Sequence, residues 1–289
     1  MTDTYFFDTA DGRTLCVDSN GDSLGRPILF FHGTPGSRLV THELPEQAAS
    51  MNVRLLSYDR PGYGQSSPQP DRTFADCVTD VVRIADSLEI GRFAVLGSSG
   101  GGPFALATAA LLPDRVTAVA TLCGLGPLAD RGFDPWAGMT PAREAEFRVF
   151  FADPSQFRSY LEQMRERYVA LTDERIVAQH ASATIAANLS LDYFQSVMAQ
   201  IRLGLAPGIE GMWEDNCASF STWGFDLKSI RVPTQVWHGM ADESVPYQHA
   251  VWLAENIPAA ELHLVEGEGH LSLSANHRPE AMCWLSEFE

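Results

Sequence analysis

Ser99 stands at the centre of Val95-Leu96-Gly97-Ser98-Ser99-Gly100-Gly101-Gly102-Pro103, a run that fits G-x-S-x-G. A short apolar stretch, 92–96, comes before it and an alanine-rich helical stretch, 104–112, comes after. Strand, turn and helix in that order predict a tight turn that pushes the hydroxyl out of the backbone path. The small flanking residues let neighbouring chain come close. A helix that opens at the nucleophile turns its first N–H groups toward a developing negative charge. A serine hydroxyl attacks poorly at neutral pH, however, unless a base takes its proton and a third group holds that base.

Eight histidines could be the base. His270 is the candidate, because Val265-Glu266-Gly267-Glu268-Gly269-His270 reads as a glycine-flanked loop after a strand. His238 and His263 fall in strand patterns and read as structural. His42, His180, His249 and His277 read as helix or surface positions, and His32 as a brace for its own loop. The orienting acid is Asp242, in the turn Gly239-Met240-Ala241-Asp242-Glu243-Ser244-Val245-Pro246 after another strand. Glu243 is its nearest competitor. An acid after 116–122 is another route, but the first carboxylate there is Asp130, beyond Pro127. The order Ser99, Asp242, His270 is the serine–acid–histidine order of one hydrolase class. Two backbone donors should face the developing oxyanion. One is the N–H of Gly100; the other is the N–H of Thr34, in His32-Gly33-Thr34-Pro35, where Pro35 has no N–H to give.

These residues need a sheet to position them. Strands are expected at 4–7, 14–17, 28–31, 53–57, 92–96 and 116–122, with a helix at 74–88. Alternating strands and helices joined by short loops argue for a mostly parallel sheet covered on both faces. From 127 to 225 the chain reads as helices and loops. Strand–helix alternation then returns, with strands at 234–237 and 261–265 and helices at 248–256 and from 275 to the end. The expected organisation is an α/β core, 1–126 and 226–289, holding a helical insertion, 127–225.

The set His32-Gly33-Thr34-Pro35-Gly36, Asp59-Arg60-Pro61-Gly62-Tyr63-Gly64, Gly97-Ser98-Ser99-Gly100-Gly101, Asp242 before Val245-Pro246, and Gly269-His270 resembles the α/β-hydrolase superfamily. The resemblance spans 13–122 and 226–286 and implies an eight-stranded, mostly parallel sheet with a helical cap inserted after the sixth strand. It also implies hydrolysis through an acyl-enzyme, with Ser99 as nucleophile, Asp242 as acid, His270 as base, and Thr34 and Gly100 as oxyanion donors. Epoxide hydrolases and haloalkane dehalogenases of that superfamily use an aspartate where this chain has Ser99, which disfavours their reactions. The lipase-type run of three glycines is absent, which counts against bulky tertiary alcohol esters.

Composition narrows the partners. A net charge of −17 repels phosphates, so neither nucleic acid nor an anionic membrane is expected. The start, Met1-Thr2-Asp3-Thr4-Tyr5, lacks a basic segment followed by an apolar one. Five scattered cysteines without a C-x-x-C pair suggest neither a disulfide frame nor a zinc site. A cytoplasmic enzyme with no cofactor and no metal is expected, and Asn188-Leu189-Ser190 then carries no meaning as a glycosylation site. Residues 127–226 hold 14 of the 29 aromatic residues, enough to glue helices together and to shape an apolar pocket over Ser99. A small to medium, fairly apolar carboxylic ester suits such a pocket. Thioesterase, lactonase, amidase or cofactor-free perhydrolase action would use the same residues. A ligand receptor without turnover is the reading from another class.

Overall fold

The structure, a computed structural model, describes residues 2–129, 132–170, 189–258 and 260–289. The expectations for Asp130, His180 and Asn188, and the stretch 171–188 of the insertion, lie outside the described residues.

Eight strands form one sheet: β1 (Asp3–Asp8), β2 (Thr14–Gly21), β3 (Arg26–Phe31), β4 (Val53–Tyr58), β5 (Phe93–Ser98), β6 (Val116–Leu122), β7 (Thr234–Gly239) and β8 (Ala260–Val265). Their spatial order is β1-β2-β4-β3-β5-β6-β7-β8. β2 is antiparallel to both its neighbours and the pairs from β4 to β8 are parallel. Every residue of β5, β6 and β7 is buried. That is why these strands read as near-continuous apolar runs instead of alternating ones.

Among the described residues, five helices cover the sheet: α1 (Leu44–Ser50), α2 (Cys77–Ser87), α3 (Gly102–Leu111), and the two near the end of the chain, α8 (Gln248–Asn256) and α9 (His270–Leu285). One face packs Leu29, Phe31, Val95 and Val119 against Val81 and Ile84 of α2, Phe104 of α3 and Leu253 of α8. The other packs Ile28, Phe30, Leu96 and Ala120 against Leu44 of α1 and Leu273, Met282 and Leu285 of α9. Full burial of each such side chain contributes about 1.5–3 kcal/mol. α9 starts at His270 and not near 275. The Gly269 N–H donates to Ser272 Oγ at 2.9 Å, which closes the first turn early.

Between β6 and β7 lie α4 (Pro141–Ala152), α5 (Pro154–Ala170), α6 (Leu191–Gly204) and α7 (Glu210–Ser219), with no strand among the described residues. Phe157, Leu161, Leu205, Ile209 and Met212 of this insert close around Tyr63 of the core. Phe150 meets Phe151, Phe157, Trp213 and Phe220 ring to ring, so much of the aromatic content holds helix to helix. The seam with the core is backbone against backbone. A Cβ on Gly204 would collide with the Gly36 carbonyl, and one on Gly211 would lie 2.5 Å from the Tyr63 ring. Gly64 N–H donates to Gly204 O at 3.0 Å and Gly211 N–H to Gly62 O at 3.3 Å. No described helix is long and apolar enough to cross a membrane.

Candidate active site

Ser99 sits between β5 and α3, in a single 3-10 turn, with φ +53°. A non-glycine residue held in the left-handed region is strained, and here the strain turns the side chain out of the sheet. Its neighbours allow this because they carry no side chain. A Cβ at Gly97 would lie 2.5 Å from Gly101 O, and one at Gly101 would strike the Phe31 carbonyl. Ser98 anchors the turn from below, its Oγ 3.1 Å from Ser274 Oγ on α9.

His270, the first residue of α9, brings Nε2 to 2.9 Å from Ser99 Oγ and Nδ1 to 2.6 Å from Asp242 Oδ2. Asp242 follows β7 and is 6% exposed, whereas Glu243 faces solvent. Its Oδ1 accepts the Ser244 and Val245 N–H groups at 2.8 and 2.9 Å. Burial pushes this carboxyl up, but the adjacent His270 imidazole and hydrogen bonds from His238 and His270 outweigh it and hold it well below the usual carboxylate range. An ionised Asp242 fixes the imidazole with Nδ1 protonated and leaves Nε2 to accept from Ser99.

His238 is buried against the same carboxylate, with Nε2 2.8 Å from Val245 O and 3.3 Å from Asp242 Oδ2. Its place in β7 marked it as structural; its contact with the acid depends on a turn that brings residue 245 back over residue 238. His249 lies on a helix, as expected, but in the interior. Its Nδ1 accepts the Gly126 N–H at 3.0 Å and its Nε2 donates to Pro135 O at 3.1 Å. Burial pushes it down to about 4.

Thr34 and Gly100 adjoin Ser99. A Cβ on Gly100 would fall 3.2 Å from Thr34 N, and one on Gly33 would fall 3.5 Å from Ser99 Cβ. Among the described residues, neither the Thr34 nor the Gly100 backbone N–H has a protein acceptor. The Thr34 loop is held from behind. His32 Nδ1 donates to Gly33 O at 2.8 Å, and Arg60 N–H donates to His32 Nε2 at 3.3 Å. Arg60, wholly buried, donates from Nη1 to His32 O and from Nη2 to Gly33 O at 3.1 Å.

Sequence reasoning did not single out Asp215. It reaches this cluster from α7, in the insert, and is 2% exposed. Its Oδ2 accepts from Thr34 Oγ1 at 2.5 Å, Arg60 Nη2 at 2.5 Å and Tyr63 OH at 2.8 Å; its Oδ1 accepts from Arg72 Nη2 at 2.5 Å. Burial pushes its carboxyl up, but the Arg60 and Arg72 charges and their hydrogen bonds hold it well below the usual range. The motif 59–64 carried Arg60 and Tyr63 in plain view, but no local pattern pointed to their partner.

Cys123, Asp242 and His270 form a cluster of three donor atoms, all within 4.8 Å of one another. Two of those atoms already share the 2.6 Å hydrogen bond. Burial and the nearby Asp242 charge push the Cys123 thiol well up, so it stays protonated and is a poor ligand. Two cavities of about 640 Å³ open beside the insert, one lined by Phe133, Trp136 and Phe151 and the other by Trp223, Phe225 and Trp252. Ser99 and His270 line neither of them.

Comparison with known proteins places this geometry. Residues 26–276 match the family model described as the alpha/beta hydrolase fold. The chain is 23% identical to a probable proline iminopeptidase of Leptolyngbya boryana over 91% of this chain and 87% of that one. It is 26% identical to Rhodomycin D methylesterase DauP of Streptomyces sp. (strain C5) over 94% of each. Among solved structures, a bromoperoxidase from Bacillus anthracis superposes with TM-score 0.71 at 20% identity, covering 99% of this chain and 100% of that one. The relatives carry different activities on one architecture, and the matched span takes in Ser99, Asp242 and His270: the chain belongs to the α/β-hydrolase fold family.

Proposed function

We propose that this protein is a serine hydrolase that cleaves carboxylic esters of small to medium, fairly apolar molecules through an acyl-enzyme. The observation that carries the reading is the unbroken line from Ser99 Oγ through the His270 imidazole to Asp242, at 2.9 and 2.6 Å. Ser99 Oγ attacks the ester carbonyl carbon and passes its proton to His270 Nε2. The N–H groups of Thr34 and Gly100 receive the carbonyl oxygen as it gains charge. Collapse of the tetrahedral species breaks the bond to the alcohol oxygen, which leaves with the proton from His270. Water then attacks the acyl carbon, gives a proton to His270, and frees the acid as Ser99 recovers its hydrogen. Apart from the attacking water, every group this reaction uses is a residue of the chain. The insert 127–225 serves as the cap and shapes the substrate space. A methylesterase among the relatives supports an ester as substrate. Five unpaired cysteines support a cytoplasmic setting.

The test is stopped-flow turnover of p-nitrophenyl esters of graded acyl length by wild type and Ser99→Ala. A burst followed by turnover in wild type, absent from the variant, is the expected result. A panel of thioesters, lactones, prolyl amides and acetate with hydrogen peroxide ranks the neighbouring chemistries. Ser99→Ala activity equal to wild type ends the reading. Saturable binding of these compounds with no turnover by wild type moves the protein to the receptor class.

A further inference from the structure

The cluster behind Thr34 is built more heavily than a loop support requires. Four side chains converge on the Asp215 carboxylate, from the loop after β3 (Thr34), the loop after β4 (Arg60, Tyr63) and the segment before α2 (Arg72). Asp215 alone comes from the insert. Two guanidiniums share this one carboxylate, leaving about one unit of positive charge behind the loop.

Peptide geometry gives the arrangement its consequence. The Gly33 carbonyl and the Thr34 N–H belong to one planar trans peptide and point in opposite directions. Whatever grips Gly33 O from behind therefore aims the Thr34 N–H forward. Arg60 Nη2 and His32 Nδ1 both grip it, at 3.1 and 2.8 Å. Arg60 Nη2 also donates to Thr34 Oγ1 at 3.0 Å, while that hydroxyl donates to Asp215 Oδ2 at 2.5 Å. The hydroxyl is thereby committed to Asp215, so the backbone N–H is the group Thr34 has free to offer. Without Asp215, the hydroxyl loses its acceptor and Arg60 loses its carboxylate partner, leaving it held by the His32 and Gly33 carbonyls.

We infer that Asp215, delivered by α7 of the insert, is a positioning residue for the Thr34 donor, so that docking of the insert onto the core completes the oxyanion site. The inference rests on the proposed reading of Thr34 and Gly100 as oxyanion donors. Asp215 touches no reacting atom; it acts through Arg60 and the Thr34 hydroxyl. The glycine seam at Gly204 and Gly211 sets α6 and α7 at the distance this contact needs.

The experiment compares Asp215→Asn and Thr34→Val with wild type on two readouts. One is steady-state ester turnover. The other is the rate at which a fluorophosphonate labels Ser99, which passes through a phosphorus oxyanion in the same site and needs no ester substrate. Removing an oxyanion donor costs about 10²–10³ in rate, so mis-aiming one predicts a loss of roughly 10–100-fold in kcat and in labelling rate. KM should stay within a few-fold. A trifluoromethyl ketone inhibitor, which forms a tetrahedral adduct, should weaken by the same factor as kcat. The double variant should lose little more than either single one, because both break one linkage. Thr34→Val keeps the charges and the backbone N–H, and it carries the test if Asp215→Asn does not fold. Folded variants that keep kcat and labelling rate within twofold overturn the inference, as does a loss confined to KM. Labelling lost in step with a missing ester activity in wild type overturns the esterase reading and this one together. Wild-type labelling without ester turnover removes only the former, and the variants still decide the latter.

Discussion

Two buried aspartates, one bonded to His270 and the other to Thr34, are held differently. Asp242 sits on a turn of the core, two backbone N–H groups on one oxygen and two histidines at the other. Its immediate partners, Val245 and His238, lie within four residues of it. Asp215 has no such local frame; its partners lie 143 to 181 residues away in the chain. One acid is set by a turn, the other by docking of a whole insert. The first should fail locally and chemically, the second cooperatively and structurally.

Replacing Asp242 with Asn should leave the fold intact and lower kcat by roughly 10³–10⁴-fold, since the imidazole loses its orienting charge. Steady-state kinetics with an unchanged melting temperature is the expected pair of results; a large fall in stability would break the contrast. Arg60→Met should cost stability as well as rate. It removes a buried partner of Asp215 and should cost about 3–5 kcal/mol of stability in urea unfolding.

The two regions also separate by pH. The His249 imidazole behind Asp242 is pushed down to about 4. The unfolded chain takes up that proton near 6.5, and the folded site does so only near 4. Stability should therefore fall by about 3 kcal/mol as pH drops through that window. His249→Gln should flatten that slope in unfolding curves taken between pH 7 and 4. Asp215 acts in a lower window. Its folded carboxyl is held below the unfolded value of about 3.9, so its contribution is complete above about pH 4 and is lost only in stronger acid.

Gly204→Ala sharpens the comparison from the seam. The added methyl meets the Gly36 carbonyl, and about 1–3 kcal/mol of overpacking should appear in the melting temperature. Activity should fall with it through Thr34, without any change at Asp242. The smallest effect belongs to the exposed Arg148–Glu144 pair on α4: Glu144→Gln should change stability by about 0.5 kcal/mol or less.

What the sequence disclosed follows the same division. The parallel strands were legible because burial on both faces makes them unbroken apolar runs; β6 runs from Val116 to Leu122, as read. Ser99, Asp242 and His270 were legible because each follows a strand, among residues small enough to let the chain turn. The family resemblance rests on the same loops, and the family match now shows it. The start of α9 was read five residues late, because Gly267 and Gly269 look like loop until Ser272 closes the turn. Asp215 was not legible, since its partners are brought to it only by the packing of α7.

The hydrogen bond from Ser99 to His270 spans 171 residues, and the one from Thr34 to Asp215 spans 181. Contacts of such separation are among the last a refolding chain closes, because the loops between them must be ordered first. Sheet and helices can therefore regain their circular dichroism while the molecule is still chemically silent. The full catalytic rate should return only when both long closures are made, so recovered activity should clock the final step of folding and not its average progress.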